Sequence, residues 1–135
     1  MKNKFFVVAG LAALVIFGIA ASSPKMSYER NLKVLPKDIS DADLDSIMDT
    51  YSRQLNVSCE FCHAPGKANP QDLDYASDDK AEKEITRQMM RMTEAINKDF
   101  FNYTIVYKAN ENMAVSCFTC HDGFPRPDLK HEKKQ

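Results

Sequence analysis

The chain has 135 residues, 18 lysines and arginines against 19 aspartates and glutamates, no tryptophan and four glycines. That length supports one ordinary domain and not two. The near-neutral, slightly acidic balance, with no basic patch interleaved by aromatics, excludes a nucleic-acid surface. No metal-hydrolase motif, nucleotide-binding glycine pattern or Ser/His/Asp set is present.

The chain opens "MKNK", runs uncharged and mostly apolar through residues 5–21, and turns polar at "SSPKMSYERN". A basic start, an apolar middle and the small residues Ala20, Ala21 and Ser22 have the form of a secretory signal peptide. Residues 1–22 are therefore expected to be removed, leaving 23–135 as an exported domain in the periplasm. The competing expectation is an uncleaved anchor, because residues 5–21 sit at the short edge of what crosses a bilayer. Membrane contact is expected only in that second case. No cysteine lies near the cleavage region, so a lipid-modified leader is not expected.

From Ser40 onward, Leu44, Ile47, Met48, Tyr51 and Leu55 recur in steps of three and four, which predicts an amphipathic helix. Ser40 and Asp43 have the spacing of a capping box at its start. The helix is expected to end near "LNV", and "VSCEFCH" follows at once. Residues 63–79, rich in Pro, Gly, Asn and Asp, read as a loop. A second helix is predicted over residues 79–101, with Asp79 and Glu82 at its cap and Ile85, Met89, Met92, Ile96 and Phe100 on its inner face. Met90 is expected to point elsewhere. Residues 102–116 read as either a short strand or an extended connector. "VSCFTCHDG" then repeats the earlier pattern, and residues 125–135 form a polar tail.

All four cysteines thus fall in two copies of Cys-x-x-Cys-His: Cys59, Cys62 and His63, then Cys117, Cys120 and His121. In an exported chain four cysteines could form two disulfides, but a His directly after each pair is the mark of covalent haem attachment. The thiols add to the two vinyl groups of one porphyrin, and the adjacent imidazole reaches the iron. Two motifs imply two covalently attached c-type haems per chain. A four-cysteine zinc site would leave both histidines unexplained, and a thioredoxin-like pair would need a βαβ context that is absent from the pattern.

The fold class expected is mostly α: a small dihaem cytochrome of two helix, connector and Cys-x-x-Cys-His units packed around the haems. An apolar cofactor would help fill so small a core. His63 and His121 each leave one axial position on iron, for which the candidates are His131 and seven methionines. Methionine is a soft ligand that favours ferrous iron and raises potential. Met48 lies on the inward face of its helix shortly before Cys59, where the other reading is plain core packing. For the second iron, Met89 and Met92 share a helical face, and position alone does not choose between them. Met113, Met26 and the tail residue His131 are weaker candidates. Arg53, Arg87 and Arg91 are expected to be solvent-exposed, with pairing to haem propionates as the second reading.

The stretches "MDTYSRQLNVSCEFCH" and "TRQMMRMTEAINKDF... VSCFTCHDG" resemble the paired haem-binding units of the tetrahaem cytochrome subunit of photosynthetic reaction centres, over roughly residues 44–124. The resemblance implies that each haem lies against a helix that supplies its Met ligand and receives His from the following motif. It implies Met48 for the first iron, and it favours Met89 over Met92 for the second. With two motifs in place of four, the chain reads as a half-sized member.

Two six-coordinate haems have no vacant site for substrate, so the expected function is one-electron transfer between a redox donor and acceptor. A membrane respiratory or photosynthetic complex is one such partner. The alternative is a dihaem peroxidase or gas sensor with one open iron. No catalytic residue is expected, because no distal acid–base pair stands near either motif. The acidic runs "DADLDS" and "DLDYASDDKAEKE" are ordinary solvated helix starts before they are docking surfaces.

Overall fold

The computed structural model describes residues 30–109 and 111–127. The leader, Met26, His131 and most of the tail lie outside the described residues.

Helix α1 spans Asp41–Leu55. Its start uses the Ser40–Asp43 spacing read from the sequence, as a single cap and not the reciprocal box: Asp43 N donates to Ser40 Oγ at 3.1 Å, and that hydroxyl, in place of the Ser40 backbone N–H, donates to Asp43 Oδ2 at 2.7 Å. Asp41 and Asp43 in the first turn and Arg53 in the last complement the helix dipole. Asn56, left-handed at φ 51°, stops the helix with its N–H on Ser52 O. Residues 56–58 then lead directly into α2, Cys59–Cys62.

The expected loop contains a small hairpin. Strands β1 (Ala64–Pro65) and β2 (Leu73–Asp74) pair antiparallel, Ala64 with Asp74 and Pro65 with Leu73. Gly66 is required in its turn: its N–H donates to Asp72 O at 2.8 Å, and a Cβ there would stand 2.8 Å from Asn69 O.

Helix α3 spans Ala81–Phe101. Its N-cap is Lys80 without a side-chain bond, so the Asp79/Glu82 box is not formed; Asp79 N instead donates to Ser77 Oγ. The inner face also differs from expectation. Arg87, Met90 and Asn97 are buried, whereas Ile85, Met92 and Phe100 are 54%, 46% and 79% exposed. A face bearing Arg and Asn is buried here because both side chains find partners, which removes the cost that periodicity of apolar residues takes for granted.

Within residues 102–116 the described part is an extended connector and no strand forms. Glu111 organises it: its carboxylate accepts from Val106 N (2.6 Å), Tyr107 N (2.9 Å) and Tyr103 Oη (3.2 Å). Tyr107 sits at φ 53°, and burial with the nearby Glu94 pushes its phenol up to about 12. Helix α4, Cys117–His121, is the last α-helix of the described residues.

The short helices cross over to the opposite long ones. α2 packs on α3, and α4 packs on α1. The core between them holds Leu35, Ile39, Ile47 and Met90, with Leu44, Met48, Tyr51 and Tyr107 packed against it. The fold is thus mostly helical, and no helix among the described residues is long and apolar enough to cross a membrane.

Candidate cofactor site

α1, α2, α3 and residues 30–35 enclose a cavity of about 680 Å³, within the range of small-molecule and cofactor sites. Cys59, Cys62 and His63 stand on one part of its wall. Met48, Tyr51 and Leu55 of α1 line another, placed there by the helical spacing that buries Ile47 and Leu55. Met90 of α3 also contributes.

His63 follows α2 with its backbone N–H on Cys59 O at 3.0 Å. Its ring meets Tyr75 edge-on, centroids 5.0 Å apart. The Nδ1 atom is buried with no hydrogen-bond partner among the described residues. Burial, then Lys83 and Arg87, hold the imidazole below its usual pKa, which keeps it in the neutral, ligating form. Burial also raises the thiol pKa of Cys62, against a hydrogen bond with Thr86 at 3.9 Å that lowers it. A protonated thiol is the wrong state for a thiolate metal site, and no group of three or more His, Cys, Asp or Glu side chains converges among the described residues. The four cysteines are free and remain two separate pairs.

The cavity rim carries Arg30, Lys33, Lys83 and Arg87. Arg87 is 6% exposed, which corrects the expectation of a solvent-facing side chain; it binds Asp78 at 2.8 Å, Glu84 at 3.0 Å and Asn31 O at 3.1 Å. Asp78 also takes Lys33 at 2.6 Å and Asn31 Nδ2 at 2.9 Å, and Lys33 followed by Arg87 hold its carboxyl far below the usual range. This network ties residues 31–33 to α3 across one side of the cavity. Arg53 and Arg91 are exposed, as expected.

The second motif is built differently. Ser116 N donates to Thr119 Oγ1 at 3.0 Å at the start of α4, and burial raises the Cys117 thiol. Asp122 at φ 52° and Gly123 at φ 80° reverse the chain, bringing Phe124 O to 2.9 Å from His121 Nδ1. With Nδ1 donating to that carbonyl, Nε2 is left as the free lone pair, the arrangement that orients a ligating histidine. Neither Met89 nor Met92 lines the cavity described above, and neither do Cys117, Cys120 and His121. Met89 is half-buried and Met92 exposed.

Two thiols, a neutral imidazole uncommitted to the chain and a thioether around one apolar cavity are the chemistry that a c-type haem needs. The residues present fit the group. Sequence reasoning found these four and offered Arg87 as a propionate partner in its second reading, but missed Arg30, Lys33 and Lys83 on the rim, the buried Met90 and the role of Asn97. A charge-pair signal for Arg87 lay in Glu84, three residues earlier on the same helix.

The sequence profile of the photosynthetic reaction centre cytochrome C subunit family matches residues 17–135. The photosynthetic reaction center cytochrome c subunit of Roseobacter denitrificans is 31% identical over 99 residues, 71% of this chain and 24% of that protein. The subunit of the same name from Thermochromatium tepidum is 32% identical over 111 residues, 79% of this chain and 24% of that protein. The chain spans about a quarter of the length of these relatives. It belongs to the photosynthetic reaction centre cytochrome c subunit family.

Proposed function

We propose, on the premise of that membership, that the chain is a periplasmic dihaem cytochrome passing single electrons between protein partners, with residues 1–22 as its leader and 23–135 as the working domain. The observation that carries the reading is the cavity that gathers Cys59, Cys62, His63 and Met48. Cys59 and Cys62 would hold the first haem by thioether bonds, with His63 and Met48 as axial ligands. Cys117, Cys120 and His121 would hold the second, with Met89 as its other ligand and Met92 as the alternative.

Bound there, c-type haem supplies a reversible one-electron ferric–ferrous couple. The chain's own contribution is to bind, orient and exclude water. Burial keeps His63 neutral, and Phe124 O aims His121. Leu44, Tyr51 and Leu55 make the first wall apolar. Ile85, Met92 and Phe100 leave an apolar stripe uncovered along α3, which supports a second prosthetic group lying against that helix. Thioether ligands on both irons would raise the potentials and leave no open position for substrate.

The test is absorbance of the exported holoprotein in both oxidation states, with haem per chain measured as the pyridine haemochromogen. Two haems, the weak far-red iron–sulfur band and no response of the reduced protein to carbon monoxide are expected. A carbon monoxide shift would bring forward a peroxidase or gas sensor with an open iron, and absence of haem would end the proposal.

A further inference from the structure

Asn97 is 0% exposed, the most completely buried side chain of the described residues. A buried carboxamide is costly unless its donors and acceptor are all engaged. Here they are. Nδ2 donates to Thr93 O at 2.9 Å and to Val115 O at 2.7 Å, and Oδ1 accepts from Val115 N at 3.0 Å. The side chain therefore meets the backbone of Val115 as a second strand would, with a donor and an acceptor together. Two bonds fix both the position and the orientation of that peptide, where one would leave it free to swivel. The Asn97 carbonyl in turn accepts from Tyr103 N at 3.0 Å. One residue thus pins both ends of the 102–116 connector.

From Val115 only Ser116 intervenes before Cys117, and Ser116 is itself held by Thr119 Oγ1. Any displacement of residue 115 passes to Cys117, Cys120 and His121. α4 packs on α1, so the pairing of Asn97 with Val115 links the second motif to α3, the helix of Met89 and Met92. The first unit has no need of such a link, because residues 56–58 alone join α1 to α2.

We propose that Asn97 is a positioning residue for the second metal centre: its clamp on Val115 sets the second Cys-x-x-Cys-His segment against α3, so that His121 and an α3 methionine serve one iron. This rests on the dihaem reading above. Asn97→Asp keeps the size and the acceptor but loses both Nδ2 donors. In the holoprotein, both haems are expected to stay attached, while the far-red iron–sulfur band falls to about half and carbon monoxide binds about one reduced haem per chain. In a Met48→Ala background, where the remaining band belongs to the second centre, Asn97→Asp is expected to abolish it. Val115→Ala, which leaves both backbone bonds in place, is expected to match wild type.

Amide exchange at Val115 provides the independent readout and is expected to rise at least about tenfold in Asn97→Leu, which removes the Oδ1 acceptor of that N–H. If Asn97→Asp does not fold, Val115→Pro removes one of the two bonds while leaving Asn97 in place, and the same loss of band is expected. Faster exchange at Val115 with a full far-red band and no carbon monoxide binding would overturn the proposal, as would unchanged exchange. A wild-type protein without two haems or without the band would instead overturn the dihaem reading.

Discussion

The two Cys-x-x-Cys-His segments are copies of one pattern, yet the protein supports them by opposite means. The first follows α1 after residues 56–58 and opens onto a cavity walled by α1 and α3, with a charged network of Lys33, Asp78 and Arg87 on its rim. The second lies beyond a long connector that Glu111 folds and a neutral carboxamide, Asn97, ties back. Chain proximity and ion pairs serve one unit; a buried hydrogen-bond clamp serves the other. A repeated motif therefore specifies repeated chemistry without specifying how each copy is held, and the two copies should fail differently.

The largest difference is expected from removing the attachment thiols in pairs. Cys59→Ala with Cys62→Ala leaves a cavity at the centre of the core and should cost more than about 4 kcal/mol. Cys117→Ala with Cys120→Ala should cost less than half as much, because the second motif does not line that cavity; thermal unfolding of the two variants, each of which would keep one haem on the dihaem proposal, compares them. Equal losses would mean that the units are supported alike.

Asn97→Leu comes next. It leaves the N–H and C=O of Val115 buried without their partner, for about 2–4 kcal/mol measured in denaturant. This loss should be insensitive to salt, since no charge is involved.

Asp78→Asn acts on the first unit and should behave in the reverse way. Its carboxylate is partly exposed, so the expected cost at neutral pH is about 1–2 kcal/mol, less at high salt. The folded pKa is depressed, by Lys33 first and then Arg87. That contribution is therefore complete above the unfolded carboxylate value of about 4 and disappears as pH falls through the folded one. Wild type and variant should converge in acid, and a stability gap that persists there would show that Asp78 acts by packing. The smallest effect is expected from Ser40→Ala, about 1 kcal/mol of α1 capping, read as a shift in midpoint with unchanged slope.

Much of this comparison could be read from sequence. α1, its Ser40 cap and the inward placement of Met48 follow from local spacing: the cap partner Asp43 lies within one turn, and the three-and-four periodicity puts Met48 on the face that meets the core. The inner face of α3 did not. Its apolar stripe through Ile85, Met92 and Phe100 is more regular than the face that is buried, and Arg87 is buried only because Asn31 and Asp78 come to it from other segments. The absence of a cap at Lys80 has the same cause: Lys83 turns back to the carbonyls of Tyr75 and Ser77, so the entry to α3 is fixed by the preceding loop. Asn97 gave no periodic signal, since its partner is 18 residues away across an irregular connector.

The crossed packing of α2 on α3 and α4 on α1 bears on how the chain can be divided. A cut between residues 67 and 71, in the hairpin turn, would send each long helix and the short helix it supports to different fragments. Neither piece would be a half-cytochrome with its own interior. Mixed together, the two should restore one another, as separated strands of a braid regain shape only when rewound.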